Sequence, residues 1–252
     1  MSEETENQRW ERLSRDRIHR PLPKRFYKSV AVTDQLGIAL DGRTVKTPLK
    51  AALVLPTRAL AEAVAAEWNA QVDIINPHAM PLTKLANTAI DRAAIEKSKI
   101  AAEILEFAGS DMVCYRTENP AGLILRQTTH WDPIIAWAKA DLKVDFATVN
   151  TITHKRQSAA ALQALEAHIK SLDPFSFVAV HNLTTLTGSA LLAAMVAAGK
   201  IPPDAAWLAA NVDEDWQIET WGGDAEAMAR RAARFDEFSA SVMFVKLVRS
   251  PQ

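Results

Sequence analysis

Apolar and polar positions change their period along this chain, and the change divides it. From Phe26 to Val32 they alternate, which predicts a half-buried strand. Gly37 to Val45 holds Asp41-Gly42 between Gly-Ile-Ala-Leu and Arg-Thr-Val, a strong short-range hairpin signal. Ala52 to Leu55 is expected as a last strand, after Thr47-Pro48 and before Pro56. From Thr57 to Gln71 the spacing turns helical: Thr57 is placed to cap, and Leu60, Ala61, Val64 and Trp68 share one face. Trp68 is expected to anchor this helix to the small sheet.

Beyond Pro77 and Pro81 nearly every pattern is helical. The predicted helices are Pro81–Asp91, Ala93–Phe107, His130–Leu142 and Ser158–Ser171, the third started by Asp132-Pro133. Pro174–Thr185 follows behind an Asp173 cap, then Ser189–Ala198 closed by Gly199, Pro203–Ile218 and Asp224–Lys246. The expected class is α+β: a leader at 1–23, a β-rich domain with one helix at 24–79, and a larger helical domain at 80–252. Ala-rich helix faces are the only low-complexity feature, and no repeat of fixed period is present.

Composition narrows the function classes. A length of 252 residues allows a sizeable core, and 48% apolar with 23% charged residues is ordinary for folded domains. A net charge of -1 provides no global field for nucleic acid or acidic lipid. The lone Cys114 can form neither an intrachain disulfide nor a cysteine zinc cluster, and it reads as a small packed hydrophobe. Glu3, Glu4 and Glu6 argue against a secretory signal or an acid-poor transit peptide. No apolar run approaches the ~20 residues of a membrane span. A cytoplasmic chain without an anchor is expected.

Catalytic signatures are scarce. Neither Gly-x-x-x-x-Gly-Lys-Ser/Thr nor Gly-x-Gly-x-x-Gly occurs, which leaves a nucleotide without its usual amide cradle. His19, His78, His130, His154, His168 and His181 show no one-turn pairing for a metal. Gly188-Ser189 sits at a helix junction and reads as a cap, not as a nucleophile elbow. A basic leader with Arg9, Arg12, Arg15, Arg17, Arg20, Lys24, Arg25 and Lys28 keeps an RNA-binding factor in view, although no aromatic stacking series accompanies it.

The segment 211–224 is the most unusual. It combines Asp213, Glu214, Asp215 and Glu219 with Trp216 and Trp221. Paired carboxylates beside tryptophans suit a small-molecule hydrolase. Consecutive helical residues splay by about 100°, however, so Asp213, Glu214 and Asp215 are poorly placed to converge on one bond. An aromatic packing side with an acidic exposed side is expected instead, an arrangement suited to recognising a protein.

Several ordered motifs resemble the alpha-subunit assembly chaperones of the mitochondrial and alphaproteobacterial F-type ATP synthase. They are Lys24-Arg25-Phe26-Tyr27, the run Leu40 to Pro48, Ala66-Glu67-Trp68 with Gln71, and the run Met80 to Asp91. Asp111 to Arg116, Trp131-Asp132-Pro133, and Gln217-Ile218-Glu219 with Trp221-Gly222 continue the likeness. The resemblance implies an ATP-independent, non-enzymatic chaperone, without cofactor or metal, that covers the free alpha subunit until beta arrives. It places partner binding on Glu214 first, with Asp213, Asp215, Glu219 and Trp216 beside it, and makes Trp68 a structural anchor. It implies a bacterial cytoplasmic member, with eukaryotic relatives in the mitochondrial matrix. The free chain is expected to be a monomer contacting neither nucleic acid nor membrane.

Overall fold

The structure is a computed structural model that describes residues 22–93, 95–150 and 155–250. Arg9 to Arg20 of the basic leader lie outside the described residues. Three short strands, β1 (Val30–Val32), β2 (Ile38–Leu40) and β3 (Arg43–Thr44), form an antiparallel sheet in the order β1-β2-β3. Val30 faces Leu40 and Val32 faces Ile38 in the first pair, and Leu40 faces Arg43 in the second. Asp41 and Gly42 turn the hairpin with φ of 46° and 79°, the left-handed pair such a two-residue loop needs. The Asp41 carboxylate also accepts from the Ser29 amide at 2.8 Å and the Lys28 amide at 3.0 Å, pinning the start of β1.

Ala52 to Leu55 forms no strand of its own. Its amides and carbonyls divide between two neighbours, Leu53 N bonding Val45 O at 3.0 Å and Leu55 N bonding Leu36 O at 3.1 Å. Isolated bridges from Ala52 to Lys46 and from Val54 to Gly37 are the result.

Helix α1 (Arg58–Asn69) lies on this sheet, its amide end capped by Thr57, whose Oγ1 accepts from Leu60 N at 3.2 Å. Leu60, Ala61 and Val64 are fully buried with Ile38, Leu53 and Leu55. The expected boundary between 79 and 80 falls where a 3₁₀ turn (Pro77–Ala79) hands over to α2 (Pro81–Asp91). The main apolar cluster continues across it into the helices. Glu67 of α1 accepts from the Leu82 and Thr83 amides at 2.7 and 2.8 Å, satisfying orphan donors at the start of α2. Gln71 closes the same corner, accepting from Asn76 N at 2.8 Å. The Ala66-Glu67-Trp68 and Gln71 motif is thus the joint between strand region and helices.

The helical part continues with α3 (Lys97–Gly109), α4 (Ala121–Trp137), α5 (Ala159–Ser171), α6 (Pro174–Thr187) and α7 (Ala190–Ala197). It ends with α8 (Pro203–Ala210), α9 (Val212–Trp221) and α10 (Ala225–Val248). All eight residues of α7 are buried, so it forms the centre around which α3, α4, α6, α8 and α10 pack. Asp173 caps α6 and Ser189 caps α7. Thr57 Oγ1 donates to Leu247 O at 2.8 Å, tying the end of α10 back to the start of α1.

Three helix boundaries differ from expectation. The helix expected at His130–Leu142 starts at Ala121 and carries Pro133 inside it. Pro133 removes one ladder bond, but Trp131, Ile134 and Trp137 bury one continuous stripe, and that burial outweighs the loss. Residues 138–142 then widen into a π turn. The Ala93–Phe107 helix begins late, at Lys97, with no side-chain cap. The single helix expected at Pro203–Ile218 breaks at Asn211, whose Nδ2 donates to Trp207 O at 2.7 Å. That break frees α9 to take a direction different from α8.

Candidate functional site: the acidic helix and its arginine partners

Helix α9 is held by polar ties more than by burial. Val212 is its only buried residue, while Trp216 is half-buried and Trp221 is 75% exposed. An isolated ten-residue helix is marginal in water, so its shape depends on what it touches. Two flanks provide the contacts: α4 on one side and α10 on the other.

The α4 flank supplies Gln127 and Arg126. Buried Gln127 donates from Nε2 to Asp213 Oδ1 at 2.8 Å and accepts the Thr117 amide at 2.8 Å, so it joins α9 to the loop before α4. Arg126 makes a two-pronged pair with Glu219, one prong at 2.9 Å, and this lowers the Glu219 carboxyl below its ordinary range. The same guanidinium lies 5.1 Å from the centre of the Trp216 ring. Trp216 itself lies across Gly122, the residue that lets the two helices approach.

The α10 flank supplies Arg231 and Arg234. Arg231 pairs with Asp215 and reaches Glu214 at 3.5 Å, while Arg234 pairs with Glu214 and with Asn211 Oδ1 at 2.6 Å. Both guanidiniums also lie over the Trp207 ring of α8, at 5.6 and 5.7 Å. Trp207 in turn contacts Phe235 at 5.0 Å between ring centres. α8, α9 and α10 therefore form one corner whose charges interlock.

The carboxylates expected to face solvent do not all do so. The side chains of Asp215 and Glu214 are only 23% and 33% exposed and turn toward α10. The sequence showed the acids of 211–224 but not their counterions, because Arg126, Arg231 and Arg234 come from elsewhere in the chain. The available signal was compositional: from Ile201 to Ala229 there is no lysine or arginine, so seven carboxylates require cations from other elements. Asp213, Glu214, Asp215, Glu219 and Trp216 are brought together on α9, whereas Trp68 stands apart in the α1 joint. There Tyr27 donates its hydroxyl to Trp68 O at 2.6 Å, with the rings in edge contact at 5.9 Å.

Other polar groups read as packing. Cys114 is fully buried, and burial pushes its thiol up to about 12. Asp111 is fully buried and accepts from the Leu191 amide at 3.0 Å, with its carboxyl raised to about 6 by loss of solvent. Among the described residues no group of three or more His, Cys, Asp or Glu could hold a metal ion, and no helix is long and apolar enough to cross a membrane.

Comparison with known proteins decides the family. The chain is 38% identical to Atp12 from Paracoccus denitrificans, with a TM-score of 0.83 over 90% of this chain and 99% of that one. It belongs to the ATP12 chaperone family. The family's sequence pattern, described as ATP12 chaperone protein, matches residues 24–139. A candidate chaperone from Agrobacterium tumefaciens is 40% identical, with a TM-score of 0.84 over 94% of this chain and 90% of that one. The mitochondrial protein atp12 of Schizosaccharomyces pombe is 25% identical over 222 residues, 80% of this chain and 76% of that relative. Membership of the ATP12 family makes this chain an ATP synthase assembly chaperone, with the small antiparallel sheet and helical body seen above as the family fold.

Proposed function

We propose that this ATP12-family chain binds the free alpha subunit of the F-type ATP synthase catalytic head and keeps it from aggregating until it meets beta, without ATP and without catalysis. The observation that carries the reading is the likeness to Atp12 over 90% of this chain together with the corner built by α8, α9 and α10. That corner exposes Trp221, Leu208 and Met228 beside interlocked charges. A subunit destined for a ring exposes a broad apolar interface while alone, and such surface associates unproductively unless covered. Aromatic and methionine side chains supply contact energy, and charges supply register.

Within the corner, Glu214 is the first residue assigned to client contact, with Asp213, Asp215, Glu219 and Trp216 beside it. Their internal arginine pairs do not oppose this role, since partly exposed pairs contribute only about 0–1 kcal/mol and exchange readily for a partner's charges. The β-rich part, 24–79, is taken as the unit that supports the helical part, 80–252, through the apolar cluster they share, with Trp68 as its anchor. The free chain is taken to be a monomer in the bacterial cytoplasm, a location that the bacterial structural relatives support.

Mixing the full chain with purified, nucleotide-free alpha subunit provides the test. Suppressed light scattering and a co-eluting complex at micromolar concentrations are expected. An alpha subunit that aggregates at the same rate with and without the chain would reject the proposal.

A further inference from the structure

Two hollows of about 490 and 230 Å³ lie end to end between α8 and α10 and share Asp204 and Phe235 in their walls. Leu208, Met228, Phe235 and Met243 line them while remaining 41–46% exposed. Four large apolar side chains along one groove form a continuous apolar strip, of the kind that marks interaction sites when rimmed by polar residues. Two of the four are methionines, whose unbranched stems repack around an incoming side chain. Trp207 forms part of the wall beneath Arg231, and Arg231 also holds Asp215 of α9. The groove is therefore continuous with the acidic helix.

Its charge indicates what fits. The stretch from Ile201 to Ala229 carries seven carboxylates and no lysine or arginine. Arg126, Arg230, Arg231 and Arg234 answer Glu219, Glu226, Asp215 and Glu214. Asp213 is bonded to Gln127, and Asp224 caps α10 through the Ala227 amide. Asp204, common to both hollows, makes no hydrogen bond or ion pair among the described residues. Three carboxylates of this stretch thus lack a cation within ion-pair distance, and the uncommitted one stands midway along the apolar groove, with Lys246 of α10 in the wall of the smaller hollow. A second copy of this chain would bring like charge to the same rim, and an anionic lipid surface would be repelled by it. A small polar ligand would find Asp204, Ser239 and Lys246 at the walls of hollows wide open to solvent, too little enclosure to hold it.

We propose that the α8–α10 groove seats an apolar segment of the client that carries a basic side chain, with the base meeting Asp204. The inference rests on the alpha-subunit reading above and specifies where and how that client is held.

The test uses the full chain and purified nucleotide-free alpha subunit. Binding is measured for the wild type, a Leu208→Ser/Met228→Ser double variant, Asp204→Asn, and Val72→Ser as an exposed apolar control on the opposite part of the sequence. The double variant is expected to bind about tenfold more weakly, as loss of central apolar anchors does. Asp204→Asn should bind several-fold more weakly at low salt and converge with wild type at high salt. Val72→Ser should stay near wild type, and all four should share one melting temperature. If the double variant unfolds, Asp204→Asn alone still decides, because Asp204 holds no structural bond. Wild type that captures alpha while both groove variants capture it equally well overturns the groove and leaves the proposed function standing. Wild type that ignores alpha overturns both. Groove variants that dissolve a dimer of this chain without weakening alpha capture would assign the groove to self-association and overturn the inference.

Discussion

Trp216 lies across Gly122: a β-carbon added at Gly122 would stand 2.7 Å from the indole Cη2 and 2.9 Å from Cζ3. The side-chain bonds between the same two helices are polar, Gln127 to Asp213 and Arg126 to Glu219, and the bare glycine is what lets the indole sit against α4.

Gly122→Ala is therefore expected to move α9. Alanine favours an isolated helix by about 1 kcal/mol over glycine, which would raise the intrinsic stability of α4. The rigid indole has no flexible end to give way, so Trp216 must leave its seat. A red shift in tryptophan emission and weaker alpha-subunit capture should appear together, with little change in melting temperature. Emission and capture that match wild type would show that α9 is not positioned by this contact.

The Glu214 and Arg234 pair separates docking of α9 from client recognition. Glu214→Arg would set a third guanidinium against Arg231 and Arg234, and a loss of about 1 kcal/mol in denaturant unfolding is expected for this partly exposed cluster. Adding Arg234→Glu should restore stability. If Glu214 is read by the client, the swapped protein is stable yet still captures alpha poorly. Full recovery of capture would make Glu214 a purely internal partner.

Glu67 holds the start of α2 from α1. Glu67→Ala would leave the Leu82 and Thr83 amides without their acceptor, and a loss of about 1–3 kcal/mol is expected in urea unfolding. Glu67→Gln keeps one acceptor oxygen and should lose less. Equal losses for both substitutions would mean that the caps contribute nothing.

Trp68→Ala should cost about 2–3 kcal/mol, below the usual range for a fully buried aromatic because Trp68 is only half-buried. The Tyr27 hydroxyl bonds the backbone oxygen of residue 68, so that bond survives the substitution. Calorimetry of the variant checks this directly. An unchanged melting temperature would remove Trp68 from its anchoring role.

Asp111 predicts a pH dependence. Burial raises its folded carboxyl from 3.8 to about 6, so the folded state holds the proton more tightly than the unfolded state does. This contribution is fully present below about pH 4 and is lost as pH rises through 6, amounting to roughly 3 kcal/mol at most. Asp111→Asn has no such titration. The stability difference between wild type and Asp111→Asn should therefore shift in favour of the variant between pH 4 and 6, and a difference that stays flat across that window would contradict the raised carboxyl.

Much of the fold was legible locally. The Asp41-Gly42 hairpin and the Thr57, Asp173 and Ser189 caps depend on a few neighbouring residues, and the structure places each where the pattern expects it. Pro133 misled because its local cost was set against burial of Trp131, Ile134 and Trp137, which the stripe spacing suggests but whose partners come from distant elements. Asn211 broke an expected continuous helix for a similar reason, its side chain being held by Trp207 O and Arg234.

The candidate site was legible in composition and illegible in geometry. Carboxylates and tryptophans in 211–224 stand out in any reading of the chain, but Arg126 lies more than eighty positions upstream of Glu219. Leu208 and Met228 look unremarkable in sequence, and only the crossing of α8 over α10 lines them along one groove.

By itself the sequence determined the hairpin, most of the helices, the mixed class and the family, because those follow from short-range periodicity, side-chain hydrogen bonding to nearby amides and ordered motifs. Tertiary structure alone decided which carboxylates meet arginines, which helix lies on Gly122 and where apolar surface stays open. Charge pairing and exposure depend on distances between segments far apart in the chain, and those distances exist only once the core has closed.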